Sequence, residues 1–394
     1  MAETSSIAQR SPLRHRDGRH ARVTYEELFF DLVYVFAVTQ ISHELLHNLT
    51  LAGVLETLIL WFAVWLGWQY TCWVTNWFDP ETPRVRGMIF ATMLLALIMA
   101  SSIPDAYGAR GLIFAVAYAG LQIGRTAFIV WMLPRGHALM SNYARMLGWL
   151  LISGVFWIGG GLAEHELRIG LWIIAVLCEY LSPMFGFALP GLGRSSTRDW
   201  TIEGGHLAER CQLFVIVALG ETLLASGASF ASAEWSTPIV SALLATFVGT
   251  LAMWWLYFGT TSRDASEKIV RSDDPGRIGA YFHYVHAILV AGIIGSAVAN
   301  DLVLAHPHQG FSPAYVAVLI GGPAVYLLGS AIYKKMVYGR LAASHIVGAL
   351  ALVVLIPVSF RTDLLAMGWL TTIVLLVVSW WDLRTKRSRG TSPH

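Results

Sequence analysis

The sequence predicts an all-α integral membrane protein of about twelve transmembrane helices, arranged as two parallel six-helix repeats. Three observations predict it. Only 13% of the 394 residues are charged, about half the usual globular share, while 56% are hydrophobic and the mean hydropathy is +0.58. So few charges could not cover a water-exposed surface, and lipid as the surrounding solvent removes that problem. Apolar runs of spanning length recur along the chain, and Lys and Arg collect in every second connection between them.

A spanning helix needs about 20 mostly apolar residues. The runs that qualify are 25–46, 53–75, 86–103, 111–133, 145–163, 168–188, 205–228, 238–260, 279–300, 312–333, 341–358 and 364–382. Thr24 and Glu27 have capping-box spacing and start the first run at the end of a polar tail. Asp79-Pro80, Pro104 and Pro134 break the chain after the second, third and fourth runs. Gly191 to Gly193 mark the central connection, Asp274-Pro275 the entry to the ninth run, and Pro307 its exit.

With the N-terminus inside, Arg10, Arg14, Arg16, Arg19 and Arg22 are cytoplasmic. So are Arg84 and Arg86, Arg135 and Arg145, Arg194 and Arg198, the group from Arg263 to Arg277, that from Lys334 to Arg340, and the tail from Arg384 to Arg389. The outer connections hold only Arg110, Arg168 and Arg361. The expected location is the cell inner membrane, multi-pass, with both termini cytoplasmic. No apolar h-region precedes residue 25, so no cleaved signal peptide is expected. A net charge of +2 points away from nucleic acid, and the lipid bilayer is the expected partner. Cys72, Cys178 and Cys211 fall in apolar runs without metal-binding or disulfide spacing.

The halves are weakly alike. Glu27-Leu-Phe-Phe opens the first helix, and Glu209-Arg-Cys-Gln-Leu-Phe the seventh. Trp68-Gln-Tyr is matched by Trp255-Leu-Tyr, and Arg86-Gly-Met-Ile-Phe by Arg277-Ile-Gly-Ala-Tyr-Phe. Six helices per half make the repeats parallel, an arrangement used by secondary transporters. The expected organisation is an Arg-rich tail at 1–24, a first half at 25–190, a linker at 191–204, a second half at 205–382 and a cytoplasmic tail at 383–394.

Ionisable residues at membrane depth are expensive and are candidates for function. The first helix carries Glu26, Glu27, Asp31 and Gln40. Glu27 and Asp31 are four apart on one face, so their like charges call for a proton or a cation. His206 and Arg210, also four apart beside Glu209, start the seventh helix from the same side and can supply that cation. A static salt-bridge cluster and a proton-linked site both fit this pattern. Gly220-Glu221-Thr222 puts another carboxylate deeper in the seventh helix. Arg125 needs a partner, for which Glu179 and Glu56 are candidates.

His43-Glu44-Leu45-Leu46-His47 is a literal HExxH, whose histidines share a helix face and could bind Zn²⁺. A third ligand and an open water position are also required. His306 and His308 lie on the matching side, but no extension of the motif follows it, and no metal is expected. There is no P-loop, dinucleotide glycine motif or nucleophile elbow, so the reading leans away from an enzyme, and no cofactor is expected.

Tyr25-Glu-Glu-Leu-Phe-Phe-Asp-Leu-Val-Tyr-Val-Phe-Ala-Val-Thr-Gln40 resembles the opening motif of the bacterial low temperature requirement protein A family. His206-Leu-Ala-Glu-Arg-Cys-Gln-Leu-Phe-Val-Ile-Val-Ala-Leu-Gly-Glu221 resembles its second motif. The resemblance covers essentially the whole chain. The motif positions it carries over are Glu27, Phe29, Asp31, Gln40, Glu209, Arg210, Gly220 and Glu221; the HExxH is not among them. The family takes its name from a growth phenotype in the cold, which implies a role in cold adaptation. The leading reading is a proton-linked transport or permeation protein with a polar site between its halves. An intramembrane enzyme acting on a lipid- or isoprenoid-like substrate is one alternative, and a non-transporting structural protein of the bilayer is the other.

Overall fold

The computed structural model describes residues 11–14, 16, 21–259, 267–268 and 272–390. Arg10, Arg19, Arg263 and Arg271, which the charge pattern assigns to the cytoplasm, lie outside the described residues. The main helices are α1 (Tyr25–His47), α2 (Leu51–Trp77), α3 (Pro83–Ser102), α4 (Gly111–Met132), α5 (Ala138–Leu162), α6 (His165–Leu181), α7 (Gly204–Ser232), α8 (Thr237–Phe258), α9 (Pro275–Ala305), α10 (Pro313–Tyr338), α11 (Ala343–Val354) and α12 (Leu364–Gly390). Among the described residues, eleven helices are long and apolar enough to cross a membrane. The exception is α11. With the turn Ile356–Ser359 it forms a shorter apolar stretch, Ala343–Ser359. Pro357 has no N–H for the Val353 carbonyl and its ring crowds the preceding turn, so the helix breaks at Leu355. The result is an all-α multi-pass membrane architecture.

Three helix ends differ most from the hydropathy reading. α5 starts at Ala138, ahead of the expected 145, because His137 caps it: the imidazole Nδ1 accepts from the Leu139 N–H at 3.2 Å. Arg145 therefore sits inside a helix. α6 stops at Leu181, short of 188. Pro183 opens a 3₁₀ turn there, and Gly186 at φ +65° carries the chain through a left-handed conformation. α12 continues past 382 into the basic tail.

The chain packs as two units. The first comprises the chain up to Gln40, with Leu55–Arg210 and Ser272–Gly279; the second comprises Ile41–Val54, Cys211–Arg271 and Ala280 onward. In the first, α2 is a buried aromatic spine. Trp61, Trp65 and Trp68 recur at helical spacing with ring centroids 5.5 and 4.9 Å apart. Trp77, Tyr143 and Trp200 close one end of this unit in tilted and edge-on contacts. In the second unit, α9 and α10 cross with backbones touching. A Cβ on Gly292 would lie 2.4 Å from the Tyr326 nitrogen, and one on Gly322 would lie 2.5 Å from the Gly295 carbonyl carbon. The Tyr326 hydroxyl donates to the Met253 carbonyl at 2.6 Å, and a buried Lys334 to Asp382 pair joins α10 to α12.

Candidate functional site

Asn76, near the end of α2, and Glu203, at the entry to α7, pair reciprocally. The Asn76 Nδ2 donates to the Glu203 carbonyl at 2.9 Å, and the Glu203 N–H donates to Asn76 Oδ1 at 2.8 Å. The Glu203 carboxylate then caps α7, accepting from the N–H groups of Gly205 (2.9 Å) and His206 (2.7 Å). This fixes the first turns of α7 beside α2 and aims His206 and Arg210 at α1. On α1, the capping box forms as its spacing predicts. Glu27 Oε2 accepts from the Thr24 N–H at 2.9 Å, and the Glu27 N–H reaches Thr24 Oγ1 at 3.4 Å.

The two pairs meet inside the first unit. Arg210 approaches Asp31 side-on, with Nε to Oδ2 at 3.1 Å and Nη2 to Oδ1 at 2.6 Å. Its Nη1 donates to Glu27 Oε1 at 3.0 Å and to Thr75 Oγ1 at 3.2 Å. His206 Nε2 lies 2.9 Å from Glu27 Oε1. Trp68 donates its indole N–H to Asp31 Oδ1 at 2.7 Å. Glu27, Asp31, His206 and Arg210 are at most 2% exposed. Every carboxylate oxygen of the cluster is accepting, as burial demands.

A fourth charge comes from the tail. Arg14 Nη2 donates to Glu27 Oε2 at 2.8 Å and lies 3.3 Å from His206 Nε2, while its Nε donates to the Thr75 carbonyl at 2.6 Å. Backbone bonds from Arg14 N–H to the Trp77 carbonyl and from Asp79 N–H to the Pro12 carbonyl hold the segment against the end of α2. Sequence reasoning missed Arg14, since a tail arginine reads as a topology signal. It also missed Trp68 as a partner of Asp31 and Asn76 as a partner of His206.

The histidine's hydrogen bonds define its tautomer. Asn76 Nδ2 faces His206 Nδ1 at 3.3 Å, and the Glu203 contacts fix which end of the Asn76 amide is the donor. Nδ1 is therefore an acceptor, and Nε2 carries the proton toward Glu27. With Glu27 and Asp31 ionised and His206 neutral, two carboxylates and two guanidinium groups cancel, and a proton gained by His206 would leave the cluster one charge positive.

The other sequence candidates lie apart from these contacts. Gln40 is half-buried farther along α1, Glu209 is half-buried beside Arg210, and Glu221 is buried about three turns on, in the second unit. Arg125 is not answered by a carboxylate. It donates to Thr71 Oγ1 at 2.9 Å, to the Gly67 carbonyl at 3.3 Å and to Gln122 Oε1. Gln122 passes the chain to Tyr118, whose hydroxyl donates to Glu179. A neutral amide and a phenol thus stand where an ion pair is expected. Glu56 pairs with His165 at 3.1 Å.

Among the described residues, no group of three or more His, Cys, Asp or Glu is placed to hold a metal. In the HExxH, His47 Nδ1 contacts the His43 carbonyl at 2.7 Å, and His308 faces Asp363 at 3.1 Å. Purified protein should carry well below stoichiometric Zn²⁺, and His47→Ala should leave metal content and thermal stability unchanged. Stoichiometric zinc that is lost in that variant would restore the zinc reading.

The family model described as bacterial low temperature requirement A protein (LtrA) matches residues 22–380. The chain belongs to the LtrA family. Both motifs that build the cluster lie within the matched LtrA region. An uncharacterized protein of Rhizobium meliloti (strain 1021) is 37% identical over 374 residues, covering 94% of this chain and 91% of that one. No solved structure matches the chain.

Proposed function

We propose that this LtrA-family chain is a proton-linked transport or permeation protein of the inner membrane, worked by Glu27, Asp31, His206 and Arg210. In this reading it has twelve spans in two parallel halves, 25–190 and 205–382, with both termini cytoplasmic. One observation supports it: a buried, charge-balanced cluster surrounds a single histidine whose Nδ1 faces the amide that also anchors the head of α7. A second proton on His206 would put Nδ1–H against the Asn76 donor. Relieving that clash means turning the Asn76 amide, which breaks both of its bonds to Glu203 at the head of α7. Protonation is thereby coupled to how α7 is held against α2, which is what a proton-linked movement needs.

The test is proton flux in proteoliposomes loaded with a pH-sensitive dye, screened against small solutes. A solute that drives flux in the parent should fail to do so with His206→Asn and Asp31→Asn, both shown to remain monodisperse. Flux that survives in both variants, or that no solute elicits, would overturn the reading. Reporter fusions after Pro80, Pro134 and Arg198 should report cytoplasm, and fusions after Asn48, Tyr107 and Trp235 the exterior. A reversed report within either set would remove a helix pair.

A second reading is favoured by a groove of about 530 Å³ between α3 and α4, lined by Gly87, Ala91, Gly120 and Gly124 with Arg84, Arg125 and Trp131. Apolar walls with two arginines suit an anionic, lipid-like substrate. Stoichiometric co-purification of such a lipid, lost with Gly120→Leu, would promote this reading over transport.

A further inference from the structure

A small cavity lies wholly within the second unit, among α8, α9, α10 and α12. Its volume is about 30 Å³, room for one water-sized occupant. Thr246, Thr250, Ser296, Asn300, Thr371 and Thr372 give it a polar wall inside helices that cross the membrane. The direction of their protons decides what that wall can hold. Thr246 Oγ1 donates to the Leu243 carbonyl at 2.9 Å, Thr250 Oγ1 to Thr246 at 2.9 Å, and Ser296 Oγ to Gly292 at 2.8 Å. Thr371 Oγ1 donates to Gly368 at 2.9 Å, and Thr372 Oγ1 to the Ala245 carbonyl on α8 at 3.0 Å.

A hydroxyl has one proton and two lone pairs. All five protons are spent on backbone carbonyls, so these side chains can present only lone pairs to the cavity. Pro323 adds another acceptor. It sits inside α10 and has no N–H to give the Leu319 carbonyl one turn back, and both residues line the cavity. The Asn300 amide is the lining side chain with an N–H to offer. A water molecule here would find acceptors for its protons but hardly a donor for its lone pairs. A bare cation needs oxygens alone, and a neutral oxygen shell can replace the hydration of a single charge. Divalent ions are held by carboxylates, and none lines this wall.

We propose that this cavity binds one dehydrated monovalent alkali cation, sodium by its size. The inference stands apart from the proton-linked reading, since the cavity shares no residue with the cluster around His206.

Thermal unfolding of the full chain in detergent, followed by tryptophan fluorescence, tests it. Sodium chloride is exchanged for choline chloride at constant ionic strength. Sodium should raise the Tm saturably where choline does not. Thr250→Val and Thr372→Val keep the side-chain shape, remove one oxygen each, and should raise the sodium midpoint at least about tenfold. Pro323→Ala hands the Leu319 carbonyl an N–H. It should weaken sodium binding while raising the Tm in choline, which separates loss of a ligand from loss of fold. Thr92→Val removes a hydroxyl that back-bonds to Met88 at 2.8 Å outside this cavity, and should leave the midpoint unchanged. Equal unfolding in sodium and choline, or midpoints unmoved in Thr250→Val, Thr372→Val and Pro323→Ala together, would overturn the proposal and leave water as the occupant.

Discussion

Arg210→Ala should be the most damaging single substitution in the cluster, at about 3–5 kcal/mol of stability. Glu27 and Asp31 would be left one turn apart, buried, with like charges, and with no guanidinium between them. The penalty comes from stranding paired charges, since an intact buried pair is itself near neutral in its net contribution. Arg210→Lys should recover only part of the loss. One ammonium cannot make the side-on pair with Asp31 and also reach Glu27 and Thr75, as the planar fork does. Exchanging the charges, Asp31→Arg with Arg210→Asp, should restore stability relative to either change alone. A Glu81→Gln control in an exposed turn should stay within about 0.5 kcal/mol. Thermal unfolding and monodispersity in detergent read all of these. Coupling near zero between positions 31 and 210 would sink the assignment of Arg210 as the direct partner of Asp31.

The meeting of Glu27 and Asp31 with His206 and Arg210 was legible in the sequence for a physical reason. Four ionisable groups entering lipid at helical spacing must find partners, and each pair could supply the opposite charge at the matching end of the other's helix. The spans were legible on the same ground, hydropathy over a fixed thickness; they depart from it where local stereochemistry intervenes, at His137, Pro183 and Pro357, and where a helix outruns its apolar stretch, as in α9, α10 and α12. What could not be read is azimuth. Trp68 and Asn76 lie on α2, where Gln69, Thr71, Thr75 and Asn76 spread polar groups over more than one face, and their contacts with Asp31 and His206 depend on how that helix is rotated. Arg125 shows the opposite error. Charge alone suggested a carboxylate partner, yet Gln122, one turn before it on α4, accepts from one of its nitrogens and leaves Glu179 to a different set of donors.

Glu179→Ala should cost roughly 3–6 kcal/mol, and Glu179→Gln about 1 kcal/mol. The carboxylate is 2% exposed, on a helix packed against α5. Its Oε1 accepts from Ser153 Oγ at 2.8 Å and from the Trp157 indole N–H at 3.0 Å, and its Oε2 accepts from the Tyr118 hydroxyl. Removing it leaves two buried donors, the Trp157 N–H and the Tyr118 hydroxyl, without acceptors, among rings too tightly packed for easy repair, while Ser153 can turn to the Leu150 carbonyl at 3.1 Å. Trp157 lies 4.9 Å from Tyr118 and 5.4 Å from Trp172 between ring centroids. Glutamine keeps the oxygen that serves Ser153 and Trp157. Its new NH₂ meets the Tyr118 hydroxyl, which can turn to accept, as it already does from Gln122 at 3.0 Å. The ordering of the two variants separates two roles for this site. If hydrogen bonds hold it together, glutamine stays close to the parent in Tm and alanine falls far below. If the two variants fall equally, the negative charge itself is what the fold needs, and the chain from Arg125 through Gln122 and Tyr118 becomes its counterweight.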